Sequence, residues 1–363
     1  MQNLLKLSFL LLVLNNLFAQ SGERIFYLGH SLVNFNVPNM TEKLAQAAGQ
    51  AQYYQANIGN GASLSWHWTS PTTGEGDRWD TTLRNQSFGH FILTEAIALK
   101  PNIMYNNSYG YLDSFYNYAA RKSPNLKMYI YETWHCINSG LPQGCEWDNE
   151  SNIPWRTRLN NDLALWEGMA DHINKRIPNT CYMIPGGQGM AKLHDEINAG
   201  RFPGFSSSRD LFTDNIHLTD IGNYFIACIM YSVIHKKSPL GLPNRLTNPW
   251  GQLYAVFPNP SQAQILQKIA WETVCSYKRT NTNCNATESQ NLEISDIKIF
   301  PNPTEDLLNI QSDQPIQKVD VFTIDGIKAG SYSCTHGQIN ISNLLSGVYI
   351  LKVGQKMFRV IKN

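Results

Sequence analysis

Two short motifs, far apart along the chain, carry residue types that could perform acyl transfer. The first is Gly29-His30-Ser31-Leu32, directly after a strand-like run at residues 24–28. The second is Asp214-Asn215-Ile216-His217, directly before a long apolar helix pattern. A serine is a weak nucleophile, so it needs a base to take its proton and a carboxylate to orient that base. The motifs therefore predict Ser31 as nucleophile, His217 as base and Asp214 as the orienting acid.

Acyl transfer also needs N–H donors aimed at the oxygen that becomes negative, and the loss of one donor costs about 10²–10³ in rate. The backbone N–H of Ser31 is one candidate. The loop at residues 57–63 offers a second at Gly61, where the missing side chain permits close approach. The alternative is that the glycines of this loop only form a turn.

These residues resemble a known family, the GDSL/SGNH hydrolases. The motif around Ser31 is similar to the first block of the family, with His30 in place of its usual aspartate. The loop with Gly61 is similar to the second block, and the motif ending at His217 to the fifth. The resemblance covers about residues 24–277. It implies a flavodoxin-like three-layer α/β/α sandwich and ester hydrolysis through an acyl-enzyme, with no metal and no cofactor.

The chain departs from this family at the third block, where an asparagine normally gives the third oxyanion donor. Here the matching strand ends in Leu93-Thr94-Glu95-Ala96, and a glutamate cannot donate unless it is protonated. Asn106 or Asn107 could substitute, or the hole could have two donors. Glu95 could equally bind substrate or cap a turn.

Tryptophans are concentrated in the predicted loops of this region, and flat rings can stack on sugar faces. The alternative for each ring is packing in the core. As a set they favour an acylated carbohydrate as substrate, with Trp66, Trp134, Glu95 and Asn106 as candidate substrate contacts. The set comprises Trp66, Trp68, Trp79, Trp134, Trp147 and Trp155.

The elements that would position these residues alternate between strand-like and helix-like patterns, which favours a mostly parallel sheet covered on both faces. In such sheets the ligand site lies at the carboxyl ends of the strands, where Ser31 and Glu95 fall. The predicted strands are 24–28, 90–94, 127–131 and 180–185, and the predicted helices are 37–48, 112–121, 159–176, 219–235 and 260–277.

Length, charge and the N-terminus narrow the class of protein. A chain of 363 residues is long enough for two domains. A formal net charge of +1 argues against a nucleic-acid-binding face. Residues 1–20 resemble a secretory signal peptide, with a short apolar segment after Lys6. No later stretch is long and apolar enough to predict a transmembrane segment.

Seven cysteines in an exported chain make disulfides feasible. Cys136 with Cys145, and Cys275 with Cys284, could each close a small loop, and the odd number leaves at least one free thiol. Buried free cysteines remain the alternative, because spacing alone does not fix the pairing.

The C-terminal part has a different sequence pattern from the rest of the chain. After a catalytic domain at 21–280 and a polar linker at 281–291, residues 292–363 alternate in short runs separated by turn residues, which predicts a small all-β immunoglobulin-like sandwich. The motif at residues 297–304, with Phe300-Pro301-Asn302-Pro303, the turn Asp325-Gly326 and the basic end Arg359–Lys362 resemble a type A C-terminal sorting domain of the type IX secretion system. That resemblance implies the type IX secretion machinery as partner and a secreted or cell-surface location. An ordinary binding sandwich is the alternative.

Taken together, the sequence predicts a secreted serine esterase that deacetylates a carbohydrate or polysaccharide. One alternative is a lipase or phospholipase that uses the same three residues. An alternative of another class is a non-catalytic, glycan-binding surface protein on a hydrolase scaffold, which the missing third-block asparagine would suit.

Overall fold

A computed structural model describes residues 22–145, 148, 150–284, 297–311, 316, 318–334, 337–353 and 356–363. The predicted signal peptide, most of the predicted linker and Trp147 lie outside these residues. The chain divides into two compact units, 1–284 and 285–363. This boundary falls within the linker predicted at 281–291.

The first unit is built on a six-stranded sheet with the spatial order β3-β2-β1-β4-β5-β6. All neighbouring strands pair in parallel except β3, which is antiparallel to β2. The five parallel strands thus follow the flavodoxin-like order 2-1-3-4-5, which confirms the predicted fold class. The strands are β1 (Glu23–Gly29), β2 (Gln52–Ile58), β3 (Glu75–Gly76), β4 (His90–Leu93), β5 (Lys127–Tyr131) and β6 (Cys181–Ile184).

Helices cover both faces of this sheet. Alternate residues of β1 enter two separate cores, because successive side chains of a strand point to opposite faces. The helices of the described residues are α1 (Asn36–Ala47), α2 (Leu64–Thr69), α3 (Trp79–Asn85), α4 (Leu99–Tyr105), α5 (Ser108–Ala120), α6 (Trp155–Asn161), α7 (Leu163–Arg176), α8 (Gly186–Asn198), α9 (Asp220–His235) and α10 (Pro260–Ser276).

The two cores divide the helices between the faces. One core includes Ile25 and Tyr27 of β1 together with apolar residues of α1, α8, α9 and α10. The other includes Phe26 and Leu28 with residues of α3, α5 and α7. Helix α9 is buried along nearly its whole length, as its apolar sequence predicts. Along the described part of the chain, no helix is both long and apolar enough to cross a bilayer.

Helix α8 begins with Gly186-Gly187-Gln188-Gly189, a stretch that carries no phosphate-binding pattern. A Cβ on Gly186 would lie 2.6 Å from the carbonyl oxygen of Glu132, and one on Gly187 would lie 2.7 Å from the Glu132 carboxyl. A Cβ on Gly189 would overlap the Ile229 side chain of α9. The glycines therefore permit close packing of α8 against the end of β5 and against α9.

Both close cysteine pairs form disulfides, Cys136–Cys145 and Cys275–Cys284, each with a sequence separation of 9. Cys181 and Cys228 are free and buried in the first unit. Cys334 is a free, half-buried thiol in the second unit.

The second unit contains two antiparallel sheets, ordered β10-β9-β12-β13 and β11-β8-β7. Apolar residues of both sheets, such as Leu308, Val321 and Leu351, share one core, which gives the predicted sandwich. Its strands are β7 (Lys298–Phe300), β8 (Leu307–Gln311), β9 (Lys318–Thr323), β10 (Lys328–Ser333), β11 (Gln338–Asn340), β12 (Gly347–Val353) and β13 (Lys356–Lys362).

We predict that Gly186→Ala destabilises the first unit by about 1–3 kcal/mol, because the added methyl group meets rigid backbone at the end of β5. Gly89→Ala is a matched control, since its Cβ would lie 3.5 Å from the nearest atom, the Glu23 carboxyl. Urea unfolding of both variants provides the comparison. Equal free energies of unfolding for the two variants would contradict the packing argument.

Candidate active site

Ser31 lies in a tight turn directly after β1. The N–H groups of Val33 and Asn34 both donate to the carbonyl oxygen of His30, at 2.9 and 3.3 Å. A Cβ on Gly29 would lie 2.7 Å from a Val33 methyl group and 2.9 Å from a Thr94 methyl group, so the strand ends on glycine for lack of space. The turn leaves the Ser31 side chain at the carboxyl edge of the sheet, half-buried.

The structure brings Ser31, His217 and Asp214 together. The Ser31 hydroxyl lies 2.8 Å from His217 Nε2, and His217 Nδ1 lies 2.6 Å from Asp214 Oδ2. The Asp214 carboxylate is acceptor-only, so Nδ1 carries the proton and Nε2 accepts from the hydroxyl. The side chains of His217 and Asp214 are 41% and 55% exposed, which makes this an open site at the surface.

The loop at residues 212–218 holds Asp214 in position. Asp214 Oδ1 accepts from the N–H groups of Ile216 and His217, both at 2.8 Å. Partial burial acts to raise the pKa of Asp214, but these hydrogen bonds and the His217 ring lower it below its usual value. Arg209 Nη1 donates to the Asp214 carbonyl oxygen at 2.7 Å.

A second turn carries Gly61, after β2. Gly61 has φ +68°, a left-handed conformation that favours glycine, and nothing lies near its missing Cβ. The Gly59 N–H donates to the Gly29 carbonyl oxygen at 2.9 Å, so this turn is joined to the end of β1, next to Ser31. Ser63 then caps α2 by accepting from the Trp66 N–H.

Glu95 is fully buried, so the predicted substrate contact is corrected. Its Oε1 accepts from the N–H groups of Leu64 and Ala96, at 3.1 and 2.8 Å. Burial raises the pKa of the Glu95 carboxyl, which these hydrogen bonds only partly oppose. The residue at the third-block position therefore ties the start of α2 to the end of β4.

The prediction of Trp134 as a substrate contact is also corrected, because its ring is 1% exposed and offers no face to a substrate. Its indole N–H donates instead to the Ile216 carbonyl oxygen at 2.8 Å. Trp66 is half-buried, and its ring lies against Gly59, beside the turn that carries Gly61. Asn106 is exposed at the end of α4, where its amide donates to Asn102 at 2.6 Å.

Most of the other described tryptophans pack within the unit. Trp68 and Trp79 stack at 5.1 Å and meet Phe115 and Tyr118 edge-on. Trp155 is 3% exposed. Of the proposed tryptophan contacts, Trp66 is therefore the one with a partly open ring. In the described residues, no group of three or more His, Cys, Asp or Glu side chains is arranged to hold a metal ion.

Two histidines beside the site, His30 and His67, are buried. His30 accepts from the Leu32 N–H at Nδ1 and lies 3.1 Å from the Glu95 carbonyl oxygen at Nε2, so its proton is on Nε2. His67 Nε2 lies 3.0 Å from the Gly29 carbonyl oxygen. Burial lowers the pKa of each ring to about 4, which keeps both neutral at pH 7. A lone histidine in a sequence carries no signal of such burial.

Residues 298–363 match the family described as the secretion system C-terminal sorting domain. The chain carries a secretion-system sorting tail. Such a tail indicates export through the type IX machinery, followed by secretion or attachment to the cell surface, and it confirms the predicted localisation. No curated protein matches the chain.

Among solved structures, the chain is similar to a DUF4886 family protein from Bacteroides uniformis, with 14% identity and a TM-score of 0.52 over 71% of this chain and 96% of that one. It is also similar to a putative GDSL-like lipase from Parabacteroides merdae, with 10% identity and a TM-score of 0.38, over 58% and 94% of the two chains. A phospholipase A1 from Streptomyces albidoflavus has 16% identity and a TM-score of 0.31, over 56% and 95%. At these identities the first likeness shows the fold alone.

We predict that acid weakens folding partly through His30. The folded state keeps this ring neutral down to about pH 4, whereas the unfolded chain binds the proton near pH 6.5. Above pH 6.5 this ring therefore does not reduce the free energy of unfolding. As the pH drops from 6.5 to 4, the unfolded chain binds a proton that the folded state does not, and the free energy of unfolding falls by up to about 3 kcal/mol. His30→Gln should lose less stability between pH 7 and pH 4 than wild type in urea unfolding. If His30→Gln lost as much stability between pH 7 and pH 4 as wild type, this assignment would be contradicted.

Proposed function

We propose that this protein is a serine esterase in which Ser31 is the nucleophile, His217 the general base and Asp214 the orienting acid. The observation that carries the proposal is the unbroken path of hydrogen bonds, 2.8 Å from Ser31 to His217 and 2.6 Å from His217 to Asp214. This path matches the roles that acyl transfer requires. The resemblance of the motifs to the GDSL/SGNH blocks supports the same chemistry.

The reaction would proceed in two steps. Ser31 Oγ attacks the ester carbonyl carbon while its proton passes to His217 Nε2, and the resulting imidazolium is stabilised by Asp214. The N–H groups of Ser31 and Gly61 would bind the negative oxygen. His217 then protonates the departing alcohol. In the second step His217 takes a proton from a water molecule, whose oxygen attacks the acyl carbon. The bond from this carbon to Ser31 Oγ then breaks, His217 returns the proton to Ser31 Oγ, and the acid is released.

For the substrate, we propose a small acyl group, acetyl foremost, on a carbohydrate or polysaccharide. Three observations support this finer proposal. The exposed His217 and Asp214 lie on an open edge that a bulky polymer can approach. The half-buried Trp66 ring lies beside the Gly61 turn, where it could contact a sugar. The sorting tail would deliver the enzyme to a space where such polymers occur.

We predict that Ser31→Ala lowers kcat on 4-nitrophenyl acetate by at least about 10³-fold, because the attacking oxygen is lost. Asp214→Asn should lower kcat by about 10²–10⁴-fold through the wrong imidazole tautomer. Asp195→Asn, a change at an exposed carboxylate paired with Arg156, is the matched control and should retain activity. Equal rates for wild type and Ser31→Ala would disprove the proposal.

The substrate class is tested separately by comparing 4-nitrophenyl esters of increasing acyl length and a panel of acetylated polysaccharides. We expect the acetyl ester to have the highest kcat/KM and acetate to be released from at least one polysaccharide. A rise in kcat/KM with acyl length would favour a lipase instead. Glycan binding without acetate release, unaffected by Ser31→Ala, would favour a non-catalytic binding protein.

A further inference from the structure

Two successive backbone carbonyls of the 212–218 loop are held by the segment that follows β5. The Ile137 N–H donates to the Asn215 carbonyl oxygen at 2.8 Å. The Trp134 indole donates to the next carbonyl oxygen, that of Ile216, also at 2.8 Å. The segment therefore contacts the loop at the two residues between Asp214 and His217, and these bonds involve neither of those side chains.

We call residues 134–139 the clamp segment. It contains neither helix nor strand, and within it the Ser139 N–H donates to the Cys136 carbonyl oxygen at 3.0 Å. The Cys136–Cys145 disulfide ties it at its centre, and Cys136 is fully buried. Trp155 of α6 donates from its indole to the His135 carbonyl oxygen at 2.9 Å.

A buried polar cluster is joined to the clamp segment through His135. His135 Nε2 lies 2.6 Å from the Asp162 carboxylate, at the junction of α6 and α7. Arg158 pairs with Asp148 and lies 3.6 Å from Asp162. Side chains of Arg158 and Asp148 are 2% and 0% exposed, so water screens these interactions little.

We propose that the clamp segment, locked by the Cys136–Cys145 disulfide, positions the 212–218 loop so that His217 can reach Ser31, with Trp134 as the main positioning residue. This inference rests on the proposed function for its catalytic consequence. Trp134 and Cys136 act through the loop backbone and need not touch substrate. Loss of the lock lets the loop carbonyls drift, and a shift of order 1 Å at reacting groups can cost about 10²-fold in rate.

The chain offers a matched control for the lock. The Cys275–Cys284 disulfide has the same sequence separation of 9, so its removal frees the unfolded chain to the same extent. It joins the end of α10 to the residues after it, whereas Cys136 lies within the clamp segment. A difference between the two disulfides therefore reports on location.

The experiment compares full-length wild type with Cys136→Ser/Cys145→Ser, Cys275→Ser/Cys284→Ser and Trp134→Phe. Two quantities are measured: kcat and KM on 4-nitrophenyl acetate, and hydrogen–deuterium exchange of peptides that cover residues 212–218. We expect the first double variant and Trp134→Phe to lower kcat about 10-fold or more with KM nearly unchanged, because positioning in the transition state is lost. Exchange at residues 212–218 should rise in both. The Cys275–Cys284 variant should match wild type in both quantities.

The proposal would be overturned if the two disulfide variants had equal kcat and equal exchange at residues 212–218 and if Trp134→Phe behaved like wild type. If the Cys136→Ser/Cys145→Ser variant does not fold, Trp134→Phe decides the question alone. If wild type hydrolyses no ester, the proposed function fails, whereas the exchange comparison still tests the clamp.

Discussion

The hydrogen bond between Ser31 Oγ and His217 Nε2 joins two residues that are 186 positions apart in the chain. It can persist only if the end of β1 and the loop before α9 keep their relative position within a few tenths of an ångström. Helix α9 supplies one anchor, because it is buried along nearly its whole length and its N-cap, Thr219, comes two residues after His217. Strand β1 supplies the other, in the middle of the parallel sheet.

The carbonyl oxygen of Gly29 links the end of β1 to the turn that carries Gly61 and to helix α2. It accepts from the Gly59 N–H and lies 3.0 Å from His67 Nε2, so the end of β1, the Gly61 turn and helix α2 meet at one atom. Glu95 adds a further tie from β4 to the start of α2. Where the GDSL/SGNH pattern that the motifs resemble has a side-chain donor, this chain has a buried carboxyl group that supports the neighbouring turn.

Strong local patterns made much of the fold predictable. Strand β5 and helix α9 were placed from apolar runs with clear ends, and the predicted β-sandwich from alternation and turn residues. Strand β2 was not predicted, because Gln52, Gln55 and Asn57 interrupt its apolar pattern. Helix α8 was missed since its first turn is rich in glycine, and those glycines are explained only by atoms of Glu132 and Ile229 that pack against them.

For the candidate site, the sequence was informative about the side chains proposed to react and much less so about the residues that support them. Ser31, Asp214 and His217 could be named because acyl transfer demands those types of residue. The predicted helix 159–176 is interrupted at Asp162, which pairs with His135, and this buried contact has no signature in either segment. Nor could the burial of Trp134 be read from composition, since an exposed stacking ring and a buried donor are the same residue type.

The spacing of the two disulfides also bears on how this protein matures. Each cysteine pair is separated by only nine positions, and the free energy of closing a flexible loop rises with its length. Every paired thiol therefore has its native partner as its nearest neighbour in the sequence, while Cys181 and Cys228 are withdrawn into the interior as the sheet forms. Correct pairing is favoured locally, so an oxidising enzyme outside the cytoplasm would have few mispaired bonds to reshuffle.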